Sequence, residues 1–221
     1  MLYFLKGTFV ACFLLPNIAF LFSDGLVSQN KPNEPKIIFS KNFSKIHKVN
    51  DHTAFLTYGR FLPDLEDRIK ESVKVNDGPT ELGKKFSAIM SELWEKAPKE
   101  NVKTGAIIIS FQGNIPYSFV VESTSNPPFM PGPRHMPTKD QQLSIGAISH
   151  DEEKFKSADR LVKQIQLLNH KGVQLNHKSF RDSFNKVKND LAKLSNEIGG
   201  NTFELILQPK SFNLSCSPKA S

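Results

Sequence analysis

Apolar positions along the chain follow two rhythms, continuous runs and helical stripes. Thr8 to Leu14 and Ile18 to Phe22 are unbroken runs of β-branched and aromatic residues, parted by Pro16-Asn17. Proline fixes φ and lacks an N–H, and Pro-Asn is a turn dipeptide, so the runs predict two fully buried strands of a hairpin. The same stretch behind Lys6 also fits a cleaved signal over residues 1–23, but no small-x-small triplet follows the apolar run. Residues 26–35 are polar and read as a loop. Residues 36–52 fit two short strands and a turn, and Thr53 to Tyr58 another strand, ended by Gly59.

The rhythm then turns helical. Leu65, Ile69 and Val73 form one stripe, with Pro63 near its start. Leu82, Phe86, Ile89, Met90, Leu93 and Trp94 form a second, closed by Ala97-Pro98. Residues 104–111 and 116–122 predict a hairpin about Gly113-Asn114. Residues 123–142 make a long proline-rich loop, suited to line a substrate or partner surface. A strand over Leu143 to Ala147 precedes helices over roughly 150–169 and 177–195. Ile198-Gly199-Gly200 then reads as a helix end and turn feeding a last strand to Leu207, with a loose tail over 208–221. Helices grouped against sheets, not alternating with single strands, argue for α+β over a doubly wound fold.

At 221 residues, with 38% hydrophobic residues, the default is one globular domain with a substantial core. Eighteen Phe against three Tyr and one Trp assigns most aromatics to that core. The net charge of +7 is spread over predicted helices, which favours solubility over an anionic partner. Cys12 falls in a buried strand and Cys216 in the tail, so neither a disulfide framework nor a CxxC site is possible, and both read as reduced thiols. His47, His52, His135, His150, His170 and His177 show no zinc-ligand spacing. GxGxxG and GxxxxGK[ST] are missing, so nucleotide binding has no warrant; lysines without aromatic interleaving give nucleic acid none. No other run reaches transmembrane length.

The opening stretch, Gly7-Thr8, then a turn and a second strand ending at Asp24, resembles the N-terminus of proteasome β-type subunits, which are N-terminal nucleophile hydrolases. The resemblance continues at Lys45-Ile46, although the preceding loop is longer than usual and leaves Lys41 and Lys48 as alternatives. It extends to Gly59 and to the Gly-Gly turn before the last strand. It implies a four-layer αββα sandwich over residues 8–208, a short propeptide over 1–7 and a tail over 209–221. A hydroxyl at neutral pH needs a nearby base, and a threonine freed at a chain start carries one in its own α-amino group. On this resemblance Thr8 is the nucleophile, Lys45 favours its deprotonation, Asp24 orients Lys45, and the N–H of Gly59 stabilises the oxyanion. Taken alone, Gly59 reads as an ordinary strand-to-helix turn glycine.

The implied activity is cleavage of peptide or amide bonds by a cytoplasmic, ring-forming homo-oligomer or proteasome-type assembly. It needs no cofactor or metal, and its partners are peptide or protein substrates, with neither nucleic acid nor membrane. The chain departs from the family where Ala147, Ser195 and Ile198 replace the serines and aspartate that support the threonine. That departure supports the alternative of a catalytically silent structural subunit.

Overall fold

The computed structural model describes residues 8–29, 37–96, 103–149, 152–195 and 198–209. The expected propeptide over 1–7, and Cys216 with the tail from residue 210, lie outside the described residues.

β1 (Phe9–Leu15) and β2 (Ile18–Asp24) form an antiparallel hairpin closed at Leu15 opposite Ile18. Asn17 turns the corner at φ 69°, a left-handed conformation that Asn tolerates better than most residues. β1 is continuously apolar because both of its faces are covered. Val10, Cys12 and Leu14 join one buried cluster with Leu56, Ile107 and Ile109. Phe9, Ala11 and Phe13 point the other way and cluster with Phe180, Phe184 and Leu161. The ring of Phe9 stacks on Phe184 with centroids 4.6 Å apart, and that of Phe13 on Phe180 at 4.5 Å. Cleavage of a signal after residue 23 would therefore remove both strands from the middle of their sheet.

β3 (Val27–Gln29) pairs with β4 (Ile37–Ser40), so the polar segment read as a loop opens with a strand. Its backbone partners lie beyond the segment itself, which is why local composition hid them. β5 (Ile46–Lys48), β6 (Ala54–Tyr58), β7 (Gly105–Gln112) and β8 (Ile115–Glu122) make an antiparallel sheet in that order. Helices α1 (Leu65–Ser72) and α2 (Pro79–Glu95) bury their stripes against it, in a third cluster with Phe55, Ile108 and Phe119. β9 (Ser144–Ser149) and β10 (Thr202–Leu207) complete the first sheet, in the order β10-β2-β1-β9.

α3 (Glu152–Phe155) and α4 (Ser157–His170) replace the single helix expected over 150–169. Lys156 adopts φ 47°, ψ 48° between them, and Arg160 Nε donates to the freed Phe155 carbonyl at 2.8 Å. α5 (His177–Leu194) begins with a reciprocal Asn176–Ser179 cap, and Ser195 leaves it in an extended conformation. Part of the proline-rich loop lies along β8: His135 and Ser118 exchange backbone hydrogen bonds at 2.8 Å, and Phe129 is fully buried. Among the described residues no helix is long and apolar enough to cross a membrane.

Candidate functional site

β2 ends at Asp24, whose carboxylate is fully buried. Its Oδ1 accepts the Phe9 N–H at 3.0 Å and the Lys45 ammonium at 2.5 Å. Its Oδ2 accepts the Gly199 N–H at 3.1 Å. An ion pair without solvent exposure persists only when its remaining polar atoms are also satisfied. Lys45 Nζ meets that requirement by donating to the Leu26 carbonyl at 3.0 Å. Lys45 lies immediately before β5 and its main chain is anchored on both sides. Its N–H reaches Ser23 Oγ at 3.4 Å, and its carbonyl accepts the Thr57 N–H at 3.0 Å. Burial pushes the Lys45 ammonium below the ordinary lysine range, while the charge of Asp24 opposes that shift.

Thr8 precedes β1 and is fully buried, and its Oγ1 has no hydrogen-bond partner among the described residues. The peptide joining Thr8 to Phe9 ends on the same carboxylate oxygen that holds Lys45. One carboxylate thus holds the Lys45 ammonium and the N–H of the residue after Thr8, whereas Gly59 takes no part in these hydrogen bonds. Gly59 follows β6 at φ 78°, and a Cβ there would fall 1.8 Å from the Lys103 carbonyl oxygen. A glycine is required at that turn on steric grounds alone. The alternative lysines point elsewhere. Lys48 is exposed and pairs with Asp51 at 2.7 Å. Lys41 is exposed, and its carbonyl accepts the Asn201 N–H at 2.8 Å.

Ala147 sits opposite Ala11 in the β1–β9 pairing, and Ile198 is buried among the apolar residues beneath α4 and α5. Neither side chain can hydrogen-bond. Several contributors escape a reading of the sequence: the Leu26 carbonyl, Ser23, the Gly199 N–H, and Lys188, whose ammonium on α5 feels the charge of Asp24. Main-chain donors and acceptors leave no trace in residue identity. Lys188 left one signal, because it stands four residues after Phe184 and one after Val187, on the buried face of α5.

A cavity of about 450 Å³ opens beside the site, lined by Ser44 and Ile46 on either side of Lys45 and by Arg60 next to Gly59. His47 projects into it, with Nδ1 2.7 Å from Glu66 Oε2 and Nε2 3.2 Å from Thr57 Oγ1. Burial lowers the His47 pKa and Glu66 opposes the shift. In its neutral form the imidazole would donate from Nδ1–H to Glu66 and accept from Thr57 at Nε2.

No family model matches the chain, and no curated protein sequence does. Among solved structures it is similar to eukaryotic HslV from Trypanosoma brucei at 11% sequence identity and a TM-score of 0.50. That match covers 90% of this chain and 99% of the other. At such identity the likeness is one of fold, and it relates the chain to proteasome-like proteins at that level.

Proposed function

We propose that the protein is a threonine-type hydrolase of peptide or amide bonds, built as a four-layer αββα sandwich. Its nucleophile is Thr8, freed by cleavage of the Gly7–Thr8 bond. The observation that carries the reading is the buried Asp24 carboxylate, which receives both the Lys45 ammonium and the N–H of the residue after Thr8. A cation held beside a buried hydroxyl stabilises its alkoxide, because burial strengthens their attraction. The layering is supported by three apolar clusters, one joining strands of both sheets and two joining a sheet to helices.

In the proposed cycle the free α-amine of Thr8 accepts the Oγ1 proton as Oγ1 attacks the substrate carbonyl. The Gly59 N–H and the Lys45 ammonium stabilise the resulting oxyanion. Collapse breaks the C–N bond, the amine leaves with the proton, and water hydrolyses the ester left on Thr8. The neighbouring cavity would receive a substrate side chain. A cytoplasmic ring-shaped homo-oligomer is part of the proposal, resting on the fold likeness.

Intact-mass spectrometry tests the first step, with a mature chain starting at Thr8 expected. A chain starting at any other residue removes the base and overturns the mechanism. A second reading, a silent subunit of the same fold, is favoured by Ala147 and Ile198, which offer no polar support near the site. A covalent adduct of a threonine-directed electrophile on Thr8 would exclude it.

A further inference from the structure

Lys188 is a long charged side chain on the buried face of α5, only 7% exposed. A lysine in that position is expensive unless its ammonium is satisfied. Its Nζ donates to the Gly200 carbonyl at 3.0 Å and to Thr202 Oγ1 at 2.6 Å. Thr202 Oγ1 in turn donates to Asn185 Oδ1 one helical turn earlier on α5. These bonds tie α5 to the Gly199–Gly200 turn and to the first residue of β10. The turn has little intrinsic preference for one shape, since both glycines have positive φ, 152° and 73°.

What the turn holds is the Asp24 carboxylate. The Gly199 N–H donates to Asp24 Oδ2 at 3.1 Å, and the Gly199 carbonyl accepts the Gly25 N–H at 3.1 Å. Thr202 is also the register partner of Asp24 in the β10–β2 pairing. Asp24 is therefore gripped on Oδ1 by Lys45 and Phe9, and on Oδ2 by a glycine turn that Lys188 bonds at the Gly200 carbonyl. Burial lowers the Lys188 pKa and the charge of Asp24 opposes it, as expected of a second cation within reach of that carboxylate.

We infer that Lys188 is a positioning residue for the candidate site: through the Gly199–Gly200 turn it fixes the Asp24 carboxylate, and so the Lys45 ammonium, beside Thr8. It supplies from a helix polar support that the apolar side chains of Ala147 and Ile198 cannot. The catalytic part of this inference rests on the hydrolase reading; the positioning part stands on geometry alone.

The test compares the full chain with Lys188→Met, Lys188→Arg and Lys186→Met, the last removing an exposed charge from the same helix. Amide hydrogen exchange at Gly199 and Gly25 reports the turn, and steady-state peptide hydrolysis reports the site. Lys188→Met is expected to speed exchange at both glycines about tenfold or more and to lower kcat about tenfold to a hundredfold with KM unchanged. Lys188→Arg should recover part of both effects, and Lys186→Met should match the wild type. Unchanged exchange at both glycines in folded Lys188→Met overturns the positioning role. Faster exchange with an unchanged kcat overturns its connection to catalysis. If the wild-type chain neither hydrolyses peptides nor reacts at Thr8, the hydrolase reading fails and the catalytic part falls with it, while the exchange data still decide the positioning role.

Discussion

Lys45→Met is the most informative single change, because it removes one member of an ion pair that has no solvent on either side. The substitution keeps the apolar length of the side chain and deletes only the ammonium. Asp24 would then keep two N–H donors, from Phe9 and Gly199, in place of three partners. Breaking a buried pair costs about 3–5 kcal/mol, and the surviving donors place this case near about 3 kcal/mol. A domain stability of about 5–15 kcal/mol leaves the variant folded and measurable. Urea unfolding followed by the fluorescence of Trp94, the single tryptophan, reads the loss directly. Asp24→Asn keeps the shape of the acceptor and removes its charge. The double variant should lose less than the two singles together, by more than about 1 kcal/mol, since the second change relieves the charge stranded by the first. A Lys45→Met midpoint within about 0.5 kcal/mol of wild type, or strict additivity in the cycle, would refute the reasoning.

On the hydrolase reading, Lys45→Ala abolishes self-cleavage at Gly7–Thr8 and turnover, whereas Lys41→Ala and Lys48→Ala leave both largely intact; mass spectrometry and a peptide assay distinguish these outcomes. Gly59→Ala should cost at least about 2 kcal/mol, from left-handed strain plus the collision with the Lys103 carbonyl, and a thermal midpoint equal to wild type would count against it. His47 has a folded pKa below its ordinary value of about 6.5, so the unfolded chain binds more protons in that window. Stability should therefore be fullest above about pH 6.5 and decline as pH falls towards the folded value, and His47→Gln should flatten that part of the profile; parallel profiles would defeat the assignment. The Cys12 thiol is fully buried and pushed up to about 11, so in a Cys216→Ser chain a thiol reagent should react only after unfolding, and prompt labelling of the native protein would contradict its placement.

Local pattern determined a good part of this protein. Apolar runs about Pro16-Asn17 specified the β1–β2 hairpin, and the stripes at Leu65-Ile69-Val73 and Phe180-Phe184-Val187-Leu191-Leu194 specified helices and most of their buried faces, Leu194 alone being exposed. Those signals are legible because turn chemistry and residue periodicity act within a few positions of the chain. The strand at Val27–Gln29 was not legible, since its hydrogen bonds come from residues 37–40. Nor was the helix break at Lys156, where the chain holds an unfavourable φ that no residue type there announces. For the candidate site, the sequence could name Thr8, Asp24, Lys45 and Gly59 only by resemblance. Tertiary structure decided that Lys45 rather than Lys41 or Lys48 meets Asp24, and that Gly59 stands outside their hydrogen bonds. It also recruited Gly199 and Lys188, 175 and 164 residues beyond Asp24. A buried carboxylate must collect its donors from whatever chain passes it, and much of that supply is main-chain N–H, which every residue but proline carries and no side-chain pattern reveals.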